Sequence, residues 1–352
     1  MMKVLIVVAS SSRRGAELEG SQLAYELSQR SVDASVVALA RSASLDEIEV
    51  PVLGSTPLRP STLRALRARA AGADVVVAYG SSTLPACAIG LLGTGTPFVY
   101  RSIGAPGAWL RGHLHRWRTG LMLRRARRVV ALWPEAATAL DGLYRLSASK
   151  VKAIPNARSA DEFTPANAAR RVEARARFGL PADALVVGCV GAFPEEKRLQ
   201  LALESVAEID DAIALVVGDG PNRVEHERLG AERLGDRAVF TGMLESVGDA
   251  YAAMDVLLLT SRTEGMPGVL IEAALSGIPV VATDVGAVRW LLRSGADGEA
   301  VPPDSSPQII AEAVARAVLG RSNVREASLG DCTWEQVAPQ WIEVLSSVAG
   351  GS

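Results

Sequence analysis

Two glutamates eight residues apart, Glu264 and Glu272, are the residues of this sequence best placed to do chemistry together. Glu264 lies in the stretch Thr260-Ser261-Arg262-Thr263-Glu264-Gly265-Met266-Pro267-Gly268, which follows the apolar run 256–259 and leads into a helical pattern. Glu272 falls about one turn inside that pattern. Gly277 and Pro279 then stop the helix, and Val280-Val281-Ala282 begins another buried run. The order is strand, tight loop, helix, strand. A helix N-terminus presents unpaired N–H groups and the positive end of its dipole, which suits a phosphate. The expected ligand is therefore a pyrophosphate on the helix, with hydroxyl-bearing groups beside the two carboxylates.

Other loops follow strand-like runs and supply compatible chemistry. Val190-Gly191-Ala192-Phe193-Pro194-Glu195-Glu196-Lys197-Arg198 combines a glycine at which backbone can approach a ligand with a lysine that offers a point charge to a phosphate. Taken alone, Lys197 also reads as a solvated surface lysine. Val217-Gly218-Asp219-Gly220-Pro221-Asn222 reads equally as a structural turn. At Thr241-Gly242-Met243-Leu244, exposed backbone offers a place for a flat base.

These loops need strands and helices to aim them. Strand-like runs at 4–9, 34–40, 74–79, 98–101, 128–132 and 152–154 alternate with helical stretches. The scheme repeats at 185–190, 213–217, 239–241, 256–259, 280–283 and 299–301. Such alternation is the mark of parallel sheets covered by helices on both faces, which bind ligands at the carboxyl ends of their strands. Periodicity lapses around Pro155-Asn156 through Pro165. The expected organisation is a first domain at 1–165, a second at 166–333, and a last helix at 334–352 packing back toward the first domain.

Composition narrows the classes. A chain of 352 residues suits two domains, and a net charge of −2 gives no bulk electrostatic case for nucleic acid. Cys87, Cys189 and Cys332 show no paired spacing, so neither a disulfide framework nor a cysteine metal site is expected, and the setting is read as cytoplasmic. The N-terminal apolar run spans about seven residues, and no run reaches the roughly 18 that a spanning helix needs. The G-x-G-x-x-G fingerprint is absent, which weighs against a nicotinamide cofactor. No D-x-D pair is present to hold a metal, so no metal is expected, and cationic side chains and helix dipoles must hold the phosphates. Residues 111–128 are basic with apolar residues interleaved. They read as a solvated helix face or as a peripheral contact with the inner face of an anionic membrane. His113 and His115 would point to different sides of that helix.

Together these loops resemble the glycosyltransferase family 4 group. The resemblance rests on Arg14-Gly15-Ala16-Glu17, Ile154-Pro155-Asn156 with Phe163, Gly191 with Lys197, Gly218-Asp219-Gly220-Pro221, and Glu264 to Glu272 followed by Gly277-Ile278-Pro279 through Asp284. It implies the GT-B fold, two Rossmann-like α/β domains facing each other across a cleft, and transfer of a sugar from a UDP-sugar or GDP-sugar to a glycan, lipid-linked or small-molecule acceptor. Retained anomeric configuration and no cofactor are implied as well. By the same resemblance Glu272 holds the ribose hydroxyls and Glu264 the sugar hydroxyls. The backbone of Met266, Pro267, Gly268, Val269 and Leu270 takes the diphosphate, and Lys197 neutralises the leaving group. Gly15, Gly191, Gly218, Gly220, Met243 and Leu244 complete the nucleotide-sugar set.

Two departures accompany the resemblance. Ala192 stands where family members commonly carry an arginine, so Arg198, Arg262 and Arg101 are candidates for that phosphate contact. On a helix Arg198 would point about 100° away from Lys197. The usual acceptor-side histidine has no counterpart after residues 98–101, which makes Arg101 and Ser102, and after them His113, candidate acceptor contacts. Two other readings remain at this stage: a non-catalytic scaffold that binds the nucleotide sugar, and a sugar-nucleotide epimerase.

Overall fold

The computed structural model describes residues 1–42, 47–106, 112–320 and 328–350. Arg111, the first residue of the basic run 111–128, lies outside the described residues, as do the last two residues of the chain. The chain divides into two compact units, Met1–Asn156 with Trp334–Ser352, and Ala157–Thr333.

In the first unit, strands β1 (Lys3–Ser10), β2 (Asp33–Ala40), β3 (Val75–Tyr79), β4 (Phe98–Arg101), β5 (Arg128–Ala131) and β6 (Val151–Ala153) alternate with helices α1 (Gly15–Ser28), α2 (Pro60–Ala70), α3 (Thr83–Gly90), α4 (Gly112–Arg125) and α5 (Pro134–Tyr144). The sheet order is β2-β1-β3-β4-β5-β6, with every pairing parallel. Strand β3 reads Val-Val-Val-Ala-Tyr and is buried throughout, as expected of a strand covered on both faces.

The second unit holds α6 (Ala168–Arg177), β7 (Val186–Val190), α7 (Leu199–Ala207), β8 (Ile213–Val217), α8 (Arg223–Leu234), β9 (Ala238–Gly242), α9 (Gly248–Ala253), β10 (Val256–Leu259), α10 (Gly268–Leu275), β11 (Val280–Thr283), α11 (Val288–Arg293), β12 (Gly298–Val301) and α12 (Pro307–Leu319). Its parallel sheet runs β12-β11-β10-β7-β8-β9. One face packs Val187, Val216, Val256 and Leu258 against Leu203 and Val206 of α7 and Ile310 and Val314 of α12. Asp255, just before β10, is buried and accepts from Arg171 and Arg175 of α6 at 2.6 Å each and from the Val186 N–H at 2.9 Å. Burial alone would raise its carboxyl. The Val186 N–H and the two guanidinium groups outweigh that and hold it below the usual carboxylate range.

The division differs from the expected boundary after Pro165. Residues 157–165 belong to the second unit, because the Arg158 N–H donates to Cys332 O at 2.9 Å and the Phe163 ring meets Tyr251 edge-on at 5.6 Å. The last helix, α13 (Trp334–Ala349), belongs to the first unit. There Lys152 pairs with Glu343 at 2.7 Å, and the Arg101 guanidinium lies 5.5 Å from the Trp341 ring.

Candidate functional site

At the carboxyl ends of β7, β8 and β9 the three glycine loops are stitched together. The Gly191 N–H donates to Val217 O, and the Gly218 N–H to Gly242 O, each at 2.9 Å. Gly218 has φ +122, and a Cβ there would come within 2.0 Å of Gly191 O, so only glycine lets these loops meet. At Gly220 the neighbouring Phe193 N–H donates to Asp219 O, and Asp219 Oδ1 accepts from the Gly220 N–H at 2.7 Å. The structural-turn reading of 217–222 thus has a concrete basis. Met243 follows β9 and is exposed, and Leu244 is half-buried.

Lys197 and Glu264 are brought into contact. Lys197 Nζ lies 2.5 Å from Glu264 Oε1, which also accepts from Ser261 Oγ at 2.6 Å. A helix starting at Lys197 was expected here; instead Glu195–Lys197 form a single 3-10 turn, and Arg198 adopts a left-handed conformation (φ 49°, ψ 48°) before α7 begins. Such a conformation costs a non-glycine residue on the order of 1 kcal/mol. Compensation is visible. Arg198 donates from Nε to Thr260 O at 2.7 Å, from Nη1 to Pro303 O at 2.7 Å and from Nη2 to Ser261 O at 3.3 Å. Thr260 Oγ1 in turn donates toward the carbonyls of Lys197 and Arg198. Arg198 therefore braces the loop that carries Lys197, and its guanidinium is committed to backbone.

Glu272 sits on α10, 8% exposed, and its two oxygens have different partners. Oε1 accepts from Arg158 Nε at 2.6 Å and Oε2 from the Tyr251 hydroxyl at 2.7 Å. Burial and then Glu272 itself push the Tyr251 phenol well above its ordinary value, so it stays a donor. Pro267 precedes α10 without a side-chain cap, and Met266 and Leu270 are buried, while Gly268 and Val269 are half-buried. Arg158 packs on Gly268 so closely that a Cβ there would lie 1.6 Å from Nη2. Arg158 had no place among the expected site residues. Its partner lies 114 positions away, and it falls in a stretch that reads only as a turn.

Of the remaining candidates, Arg101, Ser102, His113 and Gly15 belong to the first unit and Arg262 to the second. Arg101, expected as a phosphate or acceptor contact, is 1% exposed. Its Nη1 donates to Ala131 O at 3.1 Å and Ile154 O at 2.5 Å, and Nη2 to Asn156 Oδ1 at 2.8 Å, so it ties the ends of β4, β5 and β6 together. Ser102 is also buried, with its N–H donating to Val130 O. His113 is exposed on α4, Arg262 is exposed with its N–H on Glu196 O, and Gly15 is exposed at the start of α1. Part of the basic run is structural: Arg116 donates twice to Leu143 O and Arg124 to Tyr144 O, which caps the end of α5.

Two parallel α/β units, the second with a lysine, two carboxylates and a helix N-terminus toward the carboxyl ends of its strands, where open α/β sheets take ligands, define a two-domain Rossmann-like protein. Comparison agrees. Residues 184–319 match the family described as glycosyl transferases group 1, and residues 14–157 match the glycosyl transferase 4-like domain. The chain belongs to this glycosyltransferase family. It is 38% identical over 183 residues to 2-deoxystreptamine glucosyltransferase of Streptomyces kanamyceticus, covering 49% of this chain and 46% of that protein. It is 33% identical over 219 residues to alpha-D-kanosaminyltransferase of the same organism, covering 60% of this chain and 56% of that protein. These matches span about half the length of the relatives. The structure of Anabaena Alr3699/HepE in complex with UDP-glucose superimposes with a TM-score of 0.82 at 22% identity, covering 99% of this chain and 100% of that one. This confirms the GT-B fold expected from the sequence.

Proposed function

We propose that this protein is a glycosyltransferase that moves a sugar from a nucleoside-diphosphate sugar to an acceptor hydroxyl. The observation that carries the reading is the convergence of the Lys197–Glu264 pair and of Glu272 around the start of α10. In this reading Glu272 accepts from the ribose hydroxyls and the first turn of α10 receives the diphosphate. Glu264, fixed by Lys197 and Ser261, meets the transferred sugar. The bond between the anomeric carbon and the β-phosphate oxygen breaks, and its electron pair stays on the phosphate. The acceptor oxygen bonds to the same face of the sugar, and its proton passes to the departing diphosphate. Lys197 and the helix dipole stabilise the charge that gathers there. Neither metal nor cofactor has a step in this scheme, and configuration is retained.

The relatives named as glucosyl- and kanosaminyltransferases, and the UDP-glucose with which HepE is complexed, support a UDP-hexose, with a GDP-sugar as the alternative donor. The acceptor is a small polyol, a glycan or a lipid-linked sugar. Incubation of the protein with UDP- and GDP-sugars and these acceptors should release nucleoside diphosphate only when the right pair is present. Donor binding without turnover across the panel would favour a scaffold, and donor conversion without acceptor an epimerase. For location we propose the cytoplasm, with peripheral contact at the inner membrane face through α4. There Leu114, Trp117 and Leu121 stand exposed at 69%, 61% and 44%, in helical register beside arginines. Sedimentation with anionic vesicles should show binding at low salt that weakens at high salt; no binding at low salt removes this contact.

A further inference from the structure

The donor reading leaves a problem of charge at the start of α10. Glu264 and Glu272 are carboxylates, and Glu162, a third, lies close enough to feel Glu272. Burial first, and then Glu272, push the Glu162 carboxyl upward, while Arg158 acts in the opposite direction. A diphosphate brought to this place meets acidic groups that repel it. Lys197 is already in contact with Glu264, and neither Gly191 nor Ala192 offers a cation. Arg198 is committed to three carbonyls, and Arg101 is buried with its donors on Ala131 O, Ile154 O and Asn156 Oδ1.

We propose, resting on the donor reading above, that Arg158 is a donor-binding residue whose guanidinium bridges Glu272 and the diphosphate at the N-terminal end of α10. Three observations converge on it. Its Nε donates to Glu272 Oε1 at 2.6 Å, which neutralises the carboxylate assigned to the ribose. Its Nη2 rests on Gly268, the first residue of α10, which puts the charge beside the turn assigned to the phosphates. Its own backbone is anchored, with N–H donating to Cys332 O at 2.9 Å and Nη1 to Ala157 O at 2.8 Å, so the guanidinium is held in place before ligand arrives. The planar fork of arginine can present one edge to a carboxylate and another to a phosphate, which a lysine ammonium does not do with fixed geometry. Gly268 takes on a second role here: it is the residue that leaves room for the guanidinium.

The test uses calorimetric titration of the full chain with UDP, uridine, GDP and guanosine, for the unaltered protein and for Arg158→Ala. Contact with the diphosphate predicts that affinity for the nucleoside diphosphate falls by at least about tenfold more than affinity for the matching nucleoside, the size of one charged hydrogen bond. Equal losses for both would overturn the assignment and leave Arg158 as a residue that only orients Glu272. Should Arg158→Ala be unfolded by circular dichroism, Arg158→Gln makes the same comparison, since it removes the charge and keeps a polar side chain of similar length; there too a selective loss supports the proposal and an equal loss overturns it. If the unaltered chain binds neither UDP nor GDP, the donor reading itself fails, and this assignment falls with it. Binding by the unaltered chain that Arg158→Ala leaves intact removes only the assignment.

Discussion

The carboxyl ends of the two sheets carry similar charges and use them differently. In the first unit the buried Arg101 donates to Ala131 O, Ile154 O and Asn156 Oδ1, and stacks near Tyr79 and Trp341. In the second unit Lys197 and Arg158 lie on carboxylates and remain partly exposed, at 30% and 23% of their side chains. A cation fixed on backbone carbonyls is part of the frame. One that rests on a carboxylate at the rim of a helix N-terminus can share its charge with an arriving phosphate. Asp255 marks the limit of that rule, because its ion pairs with Arg171 and Arg175 are enclosed at the amino end of the central strand β10 and serve stability.

The contrast can be broken at four points. The largest effect is expected at Asp255→Asn, which leaves one nearly buried guanidinium and one partly buried guanidinium without their carboxylate; chemical denaturation should show a loss of about 3–5 kcal/mol. The same carboxyl sets an acid limb. Because its folded value is depressed, its stabilisation is fully present above the unfolded value of about 3.9 and is lost as pH falls through the folded one. Urea midpoints should therefore hold between neutral pH and about 5 for this group and fall below about 4, and the variant should lack that part of the decline.

Arg101→Leu should cost about 3 kcal/mol, since it strands three acceptors, and should lower the melting temperature. Were it instead to leave stability intact and abolish nucleotide binding, Arg101 would belong to the site and the contrast would collapse. Lys197→Ala should lower turnover by about 2–4 kcal/mol of barrier, roughly 30- to 1000-fold, with little change in melting temperature. The smallest effect is expected at Trp117→Ala, a few-fold loss of anionic-vesicle binding with donor affinity unchanged.

Much of this was legible in the sequence because it depends on local pattern. Alternating apolar runs marked the strands, and the glycines at 191, 218 and 220 marked turns at strand ends. Glu264 and Glu272 stood out because a strand–loop–helix motif holds both within a short span. What failed to show was the partner of each arginine. Arg198 looked like a helix residue, since nothing local reveals that Pro303 and Ser261 carbonyls would accept from it across the sheet. Arg101 ended an apolar strand and passed for a site residue, although its acceptors come from two later strand ends. Arg158 was hidden for the same reason. Hydrophobic periodicity encodes which face is buried; the destination of a long charged side chain is set only when distant segments meet.

The most direct test of the central claim is titration of the full chain with UDP and GDP, beside the Glu272→Ala variant. Saturable one-to-one binding of at least one of these nucleotides is expected, with a loss of roughly tenfold to 100-fold in the variant, the worth of charged hydrogen bonds to the ribose. Absence of binding, or binding with undiminished affinity in the Glu272→Ala variant, would contradict that claim.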